Sequence, residues 1–245
     1  MAPRLLATDL DGTFIGDTPA MMSLWAELDA AGVILAFSTG RHLPSIERFY
    51  AEVGTDRRAR ACVCLVGTEI WVAGAGGYVL DQGWSDHIAV GWDLAAVEDS
   101  LATIGGASRQ EAEWQTPLKY SLYLDSDSDV TAELVRASLE ESGVAAQVVY
   151  SAGRFLDVLP AGAGKGGAVL WLTDQLGIAP ADVVTAGDSG NDLDMMRSDL
   201  GFRCIAVGNA ADELRRVREP QIYHATANHA GGIREGLEHY GWLTP

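Results

Sequence analysis

Two aspartates lie two residues apart directly after the first apolar run of the chain. The apolar residues 5–7 predict a short buried strand, and Asp9, Asp11 and Gly12 follow it. In an extended segment, residues two apart point the same way, so we expect the carboxylates of Asp9 and Asp11 to lie close together. Crowded carboxylates favour a bound cation, and Mg²⁺ prefers such oxygen ligands together with water and phosphate. Since Asp-x-Asp-Gly also occurs in ordinary turns, the rest of the chain must decide between a metal site and a turn.

A second cluster of oxygen-bearing side chains follows a later strand. The apolar run 182–186 predicts a buried strand, and Asp188, Asn191 and Asp192 come soon after it. Both clusters follow strands of the same predicted parallel sheet, whose ligands bind at the carboxyl ends of the strands. One shared metal site therefore explains the two clusters better than two unrelated loops.

Two further segments predict binding of an anion. Thr39, Gly40 and Arg41 follow the apolar strand 33–37, where free backbone N–H groups and a guanidinium can hold a phosphate; a plain helix cap is the alternative. Lys165 begins a predicted helix, where the helix dipole disfavours a cation, so an anionic partner is expected for it.

Composition and charge exclude several classes of function. The chain has 245 residues, of which 48% are hydrophobic, and a formal charge of −17. This charge argues against nucleic acid or an anionic membrane as a partner, since both require clustered basic residues. No apolar run is long enough to span a membrane, and the first strand begins too early to leave room for a signal peptide. The three cysteines fit a core rather than a disulfide set, so we expect a soluble cytoplasmic protein.

Strand patterns divide the chain into two predicted domains. Residues 1–83 and 161–245 contain continuous apolar strands that alternate with helices, which is typical of a doubly wound parallel α/β sheet. Residues 84–160 contain helices near 92–104 and 129–142 and strands with alternating polar and apolar residues. This alternation predicts an antiparallel sheet with one open face, which we interpret as an inserted second domain.

The motifs in this order resemble those of the haloacid dehalogenase-like (HAD) phosphohydrolases. The four motifs lie at residues 9–13, 38–41, 165 and 187–192. The resemblance implies a Rossmann-like core with an αββαββ cap of the C2B type that reads the substrate. Further segments resemble the sucrose-phosphate phosphatase branch, which includes the mannosylfructose-phosphate phosphatases: 67–70, 116–121, 157–160 and 228–231, together with Gly153.

The resemblance implies a Mg²⁺-dependent phosphatase with an aspartyl-phosphate intermediate. Asp9 would be the nucleophile, and Asp11 would act as general acid and then as general base. The metal would be held by the Asp9 carboxylate, the Asp11 backbone carbonyl and Asp188, while Asn191 and Asp192 would orient these ligands or bind the metal through water. The residues expected to bind the phosphoryl group are Thr39, Gly40 and Lys165.

A second group of residues is expected to bind the sugar. Glu69 and Lys119 are the first candidates, because a carboxylate and an ammonium can each bind adjacent hydroxyl groups. The further candidates are Arg41, Thr68, Arg154 and Asp157. Without the resemblance, Glu69 could equally be a solvated hairpin charge and Lys119 a surface charge on a strand. His229 is interpreted either as a neighbour of the site or as a helix cap.

The predicted substrate is a disaccharide phosphate, either sucrose 6-phosphate or mannosylfructose 6-phosphate. The alternatives are a phosphatase of another sugar phosphate, a phosphomutase, and a noncatalytic module that binds a sugar phosphate. Intact acidic residues at positions 9 and 11 argue against the last alternative, since a sensor needs no nucleophile. We expect a monomer, with a glycosyltransferase of the same pathway as a candidate partner.

Overall fold

The chain folds into two compact units. The computed structural model describes residues 2–102, 104–125, 131–151 and 153–244. One unit consists of Met1–Leu80 and Lys165–Pro245, and the other is Asp81–Gly164. The predicted domain limits at residues 84 and 160 lie a few residues inside those of the second unit. None of the described helices is both long and apolar enough to cross a membrane.

The first unit contains an eight-stranded sheet, with strands numbered here in chain order. Its strands are β1 (Arg4–Thr8), β2 (Val33–Ser38), β3 (Ala61–Cys64), β4 (Glu69–Gly74), β5 (Gly77–Leu80), β10 (Val183–Gly187), β11 (Arg203–Ala206) and β12 (Ile222–His224). They lie in the order β12-β11-β10-β1-β2-β3-β4-β5. All pairs are parallel except β3 with β4 and β4 with β5, which are antiparallel.

Helices cover this sheet as the alternating sequence predicts. They are α1 (Thr18–Ala31), α2 (Leu43–Glu52), α6 (Lys165–Gln175), α7 (Asp212–Arg215) and α8 (His229–His239). Trp25 on α1 packs against Phe14 and Phe37 with ring centroids 5.5 and 5.7 Å apart, and all three side chains are buried. The parallel fold predicted from the continuous apolar strands is confirmed.

The register brings the carboxyl ends of the central strands to one edge. Leu5 and Thr8 of β1 pair with Val183 and Ala186 of β10. Since the strands are parallel, the loops that follow β1, β2, β10 and β11 leave the sheet on the same side. The motifs identified in the sequence lie in three of these loops and at the start of α6.

The second unit has the αββαββ order that the resemblance implies. Its elements are a preceding helix α3 (Gln82–Ile88), then α4 (Leu94–Leu101), β6 (Ala107–Arg109), β7 (Tyr120–Leu124), α5 (Ala132–Glu141), β8 (Ala146–Ser151) and β9 (Phe155–Pro160). The strands form an antiparallel sheet in the order β6-β7-β9-β8. Val97 of α4 and Val135 of α5 are buried in one apolar cluster with Leu156 of β9. Residue 103 of the predicted helix 92–104 and residues 129 and 130 of the predicted helix 129–142 lie outside the described residues. The sequence pattern missed the three-residue strand β6, which is mostly polar.

Candidate active site

Asp9 lies at the carboxyl end of β1, at the centre of the sheet edge. Its N–H donates to the carbonyl of Ala186 on β10 at 2.9 Å, which continues the parallel pairing by one residue. Its carboxylate is buried, and Oδ1 accepts a hydrogen bond from Nζ of Lys165 at 2.8 Å. Residues far apart in the sequence therefore meet at this atom.

Lys165 is the buried cation of the site. Its Nζ donates to Asp9, to Oδ1 of Asp192 at 2.6 Å and to Oδ1 of Asn191 at 3.3 Å, so its three hydrogens all have acceptors. Burial lowers the pKa of Lys165, but the charges of Asp192 and Asp9 outweigh it, and the pKa lies above its ordinary value. The carboxylate of Asp194 accepts the N–H of Gly166 at 2.7 Å, which fixes the start of α6.

Asp192 also binds the ammonium of Lys165. Its second oxygen, Oδ2, accepts the backbone N–H groups of Asp188 and Ser189 at 2.9 and 3.0 Å. A Cβ on Gly187 would lie 2.4 Å from Cγ of Asp192, so only glycine allows this carboxylate to fold against the end of β10. The side chain of Asp192 is thus fully engaged by Lys165 and by its own loop.

Three carboxylates gather around Lys165. Ligand atoms of Asp9, Asp188 and Asp192 lie within 4.8 Å of one another. Burial raises the pKa of Asp9 to about 7 although Lys165 lowers it, and burial followed by the charge of Asp192 raises the pKa of Asp188 to about 6. A divalent cation would favour the ionised forms of these groups, and their hard oxygen atoms suit Mg²⁺.

Gly12 leaves the room that Asp188 occupies. A Cβ on Gly12 would lie 2.3 Å from Oδ2 of Asp188, and its φ of +79° also favours glycine. Thr13, the next residue, donates its hydroxyl to Oδ1 of Asp188 at 3.2 Å. The loop after β1 therefore positions the loop after β10 directly.

Asp11 differs from the expectation for an extended segment. Strand β1 ends at Thr8, and the chain turns at Leu10, so Asp11 is not carried to the same side as Asp9 by strand geometry. Its carboxylate is more than half exposed and accepts from Nε and Nη2 of Arg41 at 2.7 and 2.5 Å. The expected crowding of the carboxylates of Asp9 and Asp11 is corrected to a two-point ion pair between Asp11 and Arg41.

The loop after β2 is held by its own backbone and by the residues after β3. The buried Thr39 donates its N–H to the carbonyl of Val63 at 2.9 Å, and its Oγ1 accepts the N–H of Arg41 at 3.2 Å. Leu65 and Val66 have φ values of +49° and +61° and donate their N–H groups to the carbonyls of Arg41 and Thr39. Strand β3 therefore ends at Cys64, although the apolar run continues to residue 66, because the backbone takes this left-handed turn at Leu65 and Val66.

Thr68 and Glu69 have different surroundings. The side chain of Thr68 is buried and donates to the carbonyl of Leu65 at 3.1 Å, so it braces the turn after β3. Glu69 is partly exposed, and its Oε2 accepts from the indole nitrogen of Trp71 at 2.8 Å. Glu69 is thus more closely held than a solvated hairpin charge.

In the second unit, Lys119 and Asp157 form a buried ion pair. Nζ of Lys119 lies 2.9 Å from Oδ1 of Asp157, and the same oxygen accepts from the hydroxyl of Ser121 at 2.6 Å. Lys119 is buried and not the surface charge that its strand pattern allowed. Arg154 is exposed and lies over the ring of Tyr123, 4.5 Å from its centroid.

Asn209, which the sequence did not assign to the site, and His229, for which a place near the site was one of two interpretations, lie against the loop after β1. Asn209 and His229 both contact the carbonyl of Gly12, at 2.7 and 2.8 Å. The sequence signals were the position of Asn209 just after an apolar strand and the position of His229 at a helix start. Neither signal predicts which backbone atom the side chain reaches.

The sheet order and the inserted αββαββ unit define the class of protein by its fold, which is that of haloacid dehalogenase-like phosphatases of known structure. A model of the sucrose-6F-phosphate phosphohydrolase family matches residues 2–241. The chain belongs to this family. It is therefore a phosphatase of phosphate monoesters, and the relatives that it matches are named as mannosylfructose-phosphate phosphatases and sucrose-phosphatases.

Individual relatives agree with the family assignment. The mannosylfructose-phosphate phosphatase of Agrobacterium fabrum is 34% identical over 97% of both chains. A probable sucrose-phosphatase of Arabidopsis thaliana is 32% identical over 97% of this chain, which spans 60% of the plant protein. The solved structure of the sucrose-phosphatase from Synechocystis sp. PCC6803, in complex with sucrose and phosphate, has a TM-score of 0.87 and 29% identity, covering 100% of both chains.

Proposed function

We propose that this enzyme is a Mg²⁺-dependent phosphatase that hydrolyses a disaccharide phosphate through an aspartyl-phosphate on Asp9. The observation that carries the proposal is the buried carboxylate of Asp9, held at 2.8 Å by Lys165 and flanked by Asp188. The similarity over nearly the whole length of a mannosylfructose-phosphate phosphatase supports a disaccharide as the substrate.

Asp9 is the nucleophile of the proposed reaction. Since Lys165 holds Oδ1, Oδ2 is the oxygen that attacks phosphorus, and the bond from phosphorus to the sugar oxygen breaks. Lys165 also neutralises charge on the oxygen atoms of the transferring group, together with the hydroxyl of Thr39 and the N–H of Gly40. Water then attacks the aspartyl-phosphate, which releases phosphate and restores Asp9.

Mg²⁺ would be held by the carboxylates of Asp9 and Asp188 and by the backbone carbonyl of Asp11, and when bound it supplies positive charge to the phosphoryl oxygens. Asp192 and Asn191 position Lys165 and the loop of Asp188 behind these ligands. Both oxygens of Asp192 already accept hydrogen bonds, which supports a positioning role for Asp192 rather than direct binding of the metal.

Asp11 carries the proton in both steps. It protonates the sugar oxygen as this oxygen leaves and then takes a proton from the attacking water. In the free enzyme its two oxygens accept from Arg41, which holds the carboxylate in one orientation until the substrate enters. Arg41 can then exchange this ion pair for a contact with the substrate.

In each unit, a few polar side chains are the proposed sugar ligands. Lys119 and Asp157 supply a buried ammonium and carboxylate, and Glu69 supplies a carboxylate that Trp71 orients. Arg154 lies three residues before Asp157 in the sequence and is exposed. Thr68 acts indirectly, since its hydroxyl supports the segment before Glu69. We propose that residues 84–160 form the cap that selects the substrate.

The test is Mg²⁺-dependent phosphate release from four compounds: sucrose 6F-phosphate, mannosylfructose 6F-phosphate, fructose 6-phosphate and glucose 6-phosphate. We expect one disaccharide phosphate to have a specificity constant at least about 100-fold above those of the hexose phosphates. Equal turnover of all four would contradict the proposed substrate while leaving the phosphatase assignment intact. Transfer of the phosphoryl group back to sugar, without phosphate release, would identify a phosphomutase instead.

A further inference from the structure

The carbonyl of Gly12 accepts two hydrogen bonds from outside its own loop. Nδ2 of Asn209 donates to it at 2.7 Å, and Nδ1 of His229 lies at 2.8 Å. Asn209 follows β11, and His229 begins α8, so three separate segments meet at this oxygen. Gly12 is the residue directly after Asp11.

A third hydrogen bond fixes the orientation of the Asn209 amide, and the acceptor character of the Gly12 carbonyl fixes the donor on the His229 ring. The backbone N–H of His229 donates to Oδ1 of Asn209 at 2.8 Å, so the amide of Asn209 must present Nδ2 to Gly12. A carbonyl can only accept, and Nδ1 of His229 therefore carries a hydrogen. The protonated ring and the neutral Nδ1–H form both provide this donor, so the contact needs no change of protonation.

The contacts of Asn209 and His229 with Gly12 require an uncommon backbone conformation and two close approaches that only glycine allows. His229 has a φ of +51°, which is uncommon for a residue with a side chain. A Cβ on Gly16 would lie 2.4 Å from Cγ of His229, and a Cβ on Gly208 would lie 2.4 Å from the carbonyl of Thr226. The ring of His229 is not used as a helix cap, since Asn228 occupies the N-cap position of α8.

We propose that Asn209 and His229, here called the Gly12 clamp, are positioning residues for phosphoryl transfer. This inference rests on the proposed roles of Asp9 and Asp11. The clamped peptide group joins Gly12 to Thr13, whose hydroxyl bonds Asp188, and Gly12 also follows Asp11 directly. The clamp thus fixes the peptide that links Asp11 to the contact between Thr13 and Asp188.

The backbone hydrogen bonds within this loop are local. Leu10 accepts from Thr13 and Ile15 at 3.3 and 2.8 Å, and Asp9 accepts from Phe14 at 3.2 Å. These bonds close the turn but do not connect Gly12 to the strands beyond β1. Asn209 and His229 supply that connection, so their loss should let the peptide of Gly12 rotate while the turn itself persists.

Matched variants test the donor function at each position. Asn209→Asp keeps the shape and the acceptor for His229 but places an oxygen against the Gly12 carbonyl. His229→Asn keeps a donor near the position of Nδ1 and tolerates positive φ, whereas His229→Gln places its amide nearer the position of Nε2. Asp9→Asn removes the proposed nucleophile and shows how much activity remains without it.

Each variant is assayed with p-nitrophenyl phosphate and with the sugar phosphate that the wild-type enzyme turns over fastest. We expect Asn209→Asp and His229→Gln to lower kcat by roughly 10- to 100-fold because misplaced reacting groups lose alignment, with KM within about threefold. His229→Asn should retain kcat within about threefold of wild type, because it restores the donor. Circular dichroism and thermal unfolding show that the compared variants are folded.

Several outcomes would overturn the clamp. Wild-type kcat in folded Asn209→Asp and His229→Gln would do so, and so would a folded His229→Asn as slow as His229→Gln. If Asn209→Asp does not fold, the comparison of His229→Asn with His229→Gln tests the clamp by itself. If neither Asn209→Asp nor His229→Gln folds, the clamp serves stability alone and the proposed positioning role is wrong. Full activity in Asp9→Asn would instead overturn the proposed nucleophile, which separates the two failures.

Discussion

Nζ of Lys165 lies 2.8 Å from Oδ1 of Asp9, and both side chains are buried although 156 positions separate them in the sequence. Asp192 binds the same ammonium at 2.6 Å. Lys165 therefore has two functions: it compensates buried carboxylates in the folded chain, and in the proposed reaction it neutralises the phosphoryl oxygens. These functions can be separated by substitution.

Lys165→Met is expected to lose both functions, since methionine has a similar length and no charge. Removing one partner of a buried ion pair leaves an uncompensated charge and typically costs about 3–5 kcal/mol of the free energy of unfolding. Activity should fall at least about 100-fold because a preorganised positive group is lost. Chemical denaturation and phosphate release measure the two effects.

The control for this variant is Lys165→Met combined with Asp192→Asn, which also removes a buried negative charge. The double variant should regain part of the lost stability but none of the activity. A Lys165→Met protein as stable as the wild type would contradict the ion-pair arrangement.

Gly187→Ala tests how closely Asp192 packs against the end of β10. The new Cβ would lie 2.4 Å from Cγ of Asp192 and would push this carboxylate away from Lys165. We expect a loss of about 1–3 kcal/mol in the free energy of unfolding, as for other overpacked sites, together with lower kcat. Gly76→Ala is the matched control, since its Cβ has no neighbour within 4 Å. Equal stability of the two variants would show that Asp192 can move without cost.

The pKa shifts predict how stability depends on pH when no divalent cation is bound. The pKa of Asp188 is raised to about 6 and that of Asp9 to about 7, so the folded chain holds these protons more tightly than the unfolded chain. The contribution of these two groups to the free energy of unfolding is favourable at pH below about 4. It is lost as the pH rises through about 6 and about 7. The raised pKa of Lys165 keeps it charged throughout this range.

Asp188→Asn isolates one of these groups. Since asparagine does not ionise, the free energy of unfolding of the variant should fall less between pH 4 and pH 7 than that of the wild type, by on the order of 1 kcal/mol after allowing for solvent screening. Denaturation in the presence of a chelator measures the difference, and added Mg²⁺ at pH 7.5 should stabilise the wild type more than the variant. If the free energies of unfolding of the wild type and of Asp188→Asn change in parallel with pH, the raised pKa of Asp188 is wrong.

Lys119→Met tests the buried pair of the second unit. The loss of the ammonium leaves Asp157 with the hydroxyl of Ser121 as its described partner at Oδ1. We expect a higher KM for the preferred sugar phosphate and an unchanged KM for p-nitrophenyl phosphate, which has no sugar. The double variant with Asp157→Asn should recover stability but not the KM for sugar. Equal changes of KM for both substrates would exclude a sugar-binding role.

Much of the core could be predicted because its strands are buried on both faces. Such strands are continuous apolar runs, and this explains why β1, β2 and β10 were identified from the sequence. The side chains of Asp9, Lys165 and Asp188 meet because these residues follow or precede elements at one sheet edge. Parallel topology alone brings them to the same side.

Other features depend on contacts that no local pattern encodes. The three-residue strand β6 is held by pairing with β7, and not by its own propensity. The orientation of Asp11 depends on Arg41, 30 residues away, because the turn at Leu10 ends the extended geometry on which the expectation relied. The burial of Thr68 follows from the left-handed turn at Leu65 and Val66 before it. The sequence did not predict this turn, because both residues continue an apolar run that is typical of a strand.

The central claim, that Asp9 forms a covalent phosphoryl intermediate, is tested most directly by trapping it in Asp11→Asn. With p-nitrophenyl phosphate the leaving group needs no proton, so the first step should proceed while the attack of water, which lacks its base, is slowed. Acid quenching and borohydride reduction convert an aspartyl-phosphate to homoserine, which peptide mass spectrometry locates. We predict a burst of one p-nitrophenolate per enzyme and homoserine at position 9. Steady turnover without a burst and with position 9 unmodified, or homoserine at another position, would contradict it.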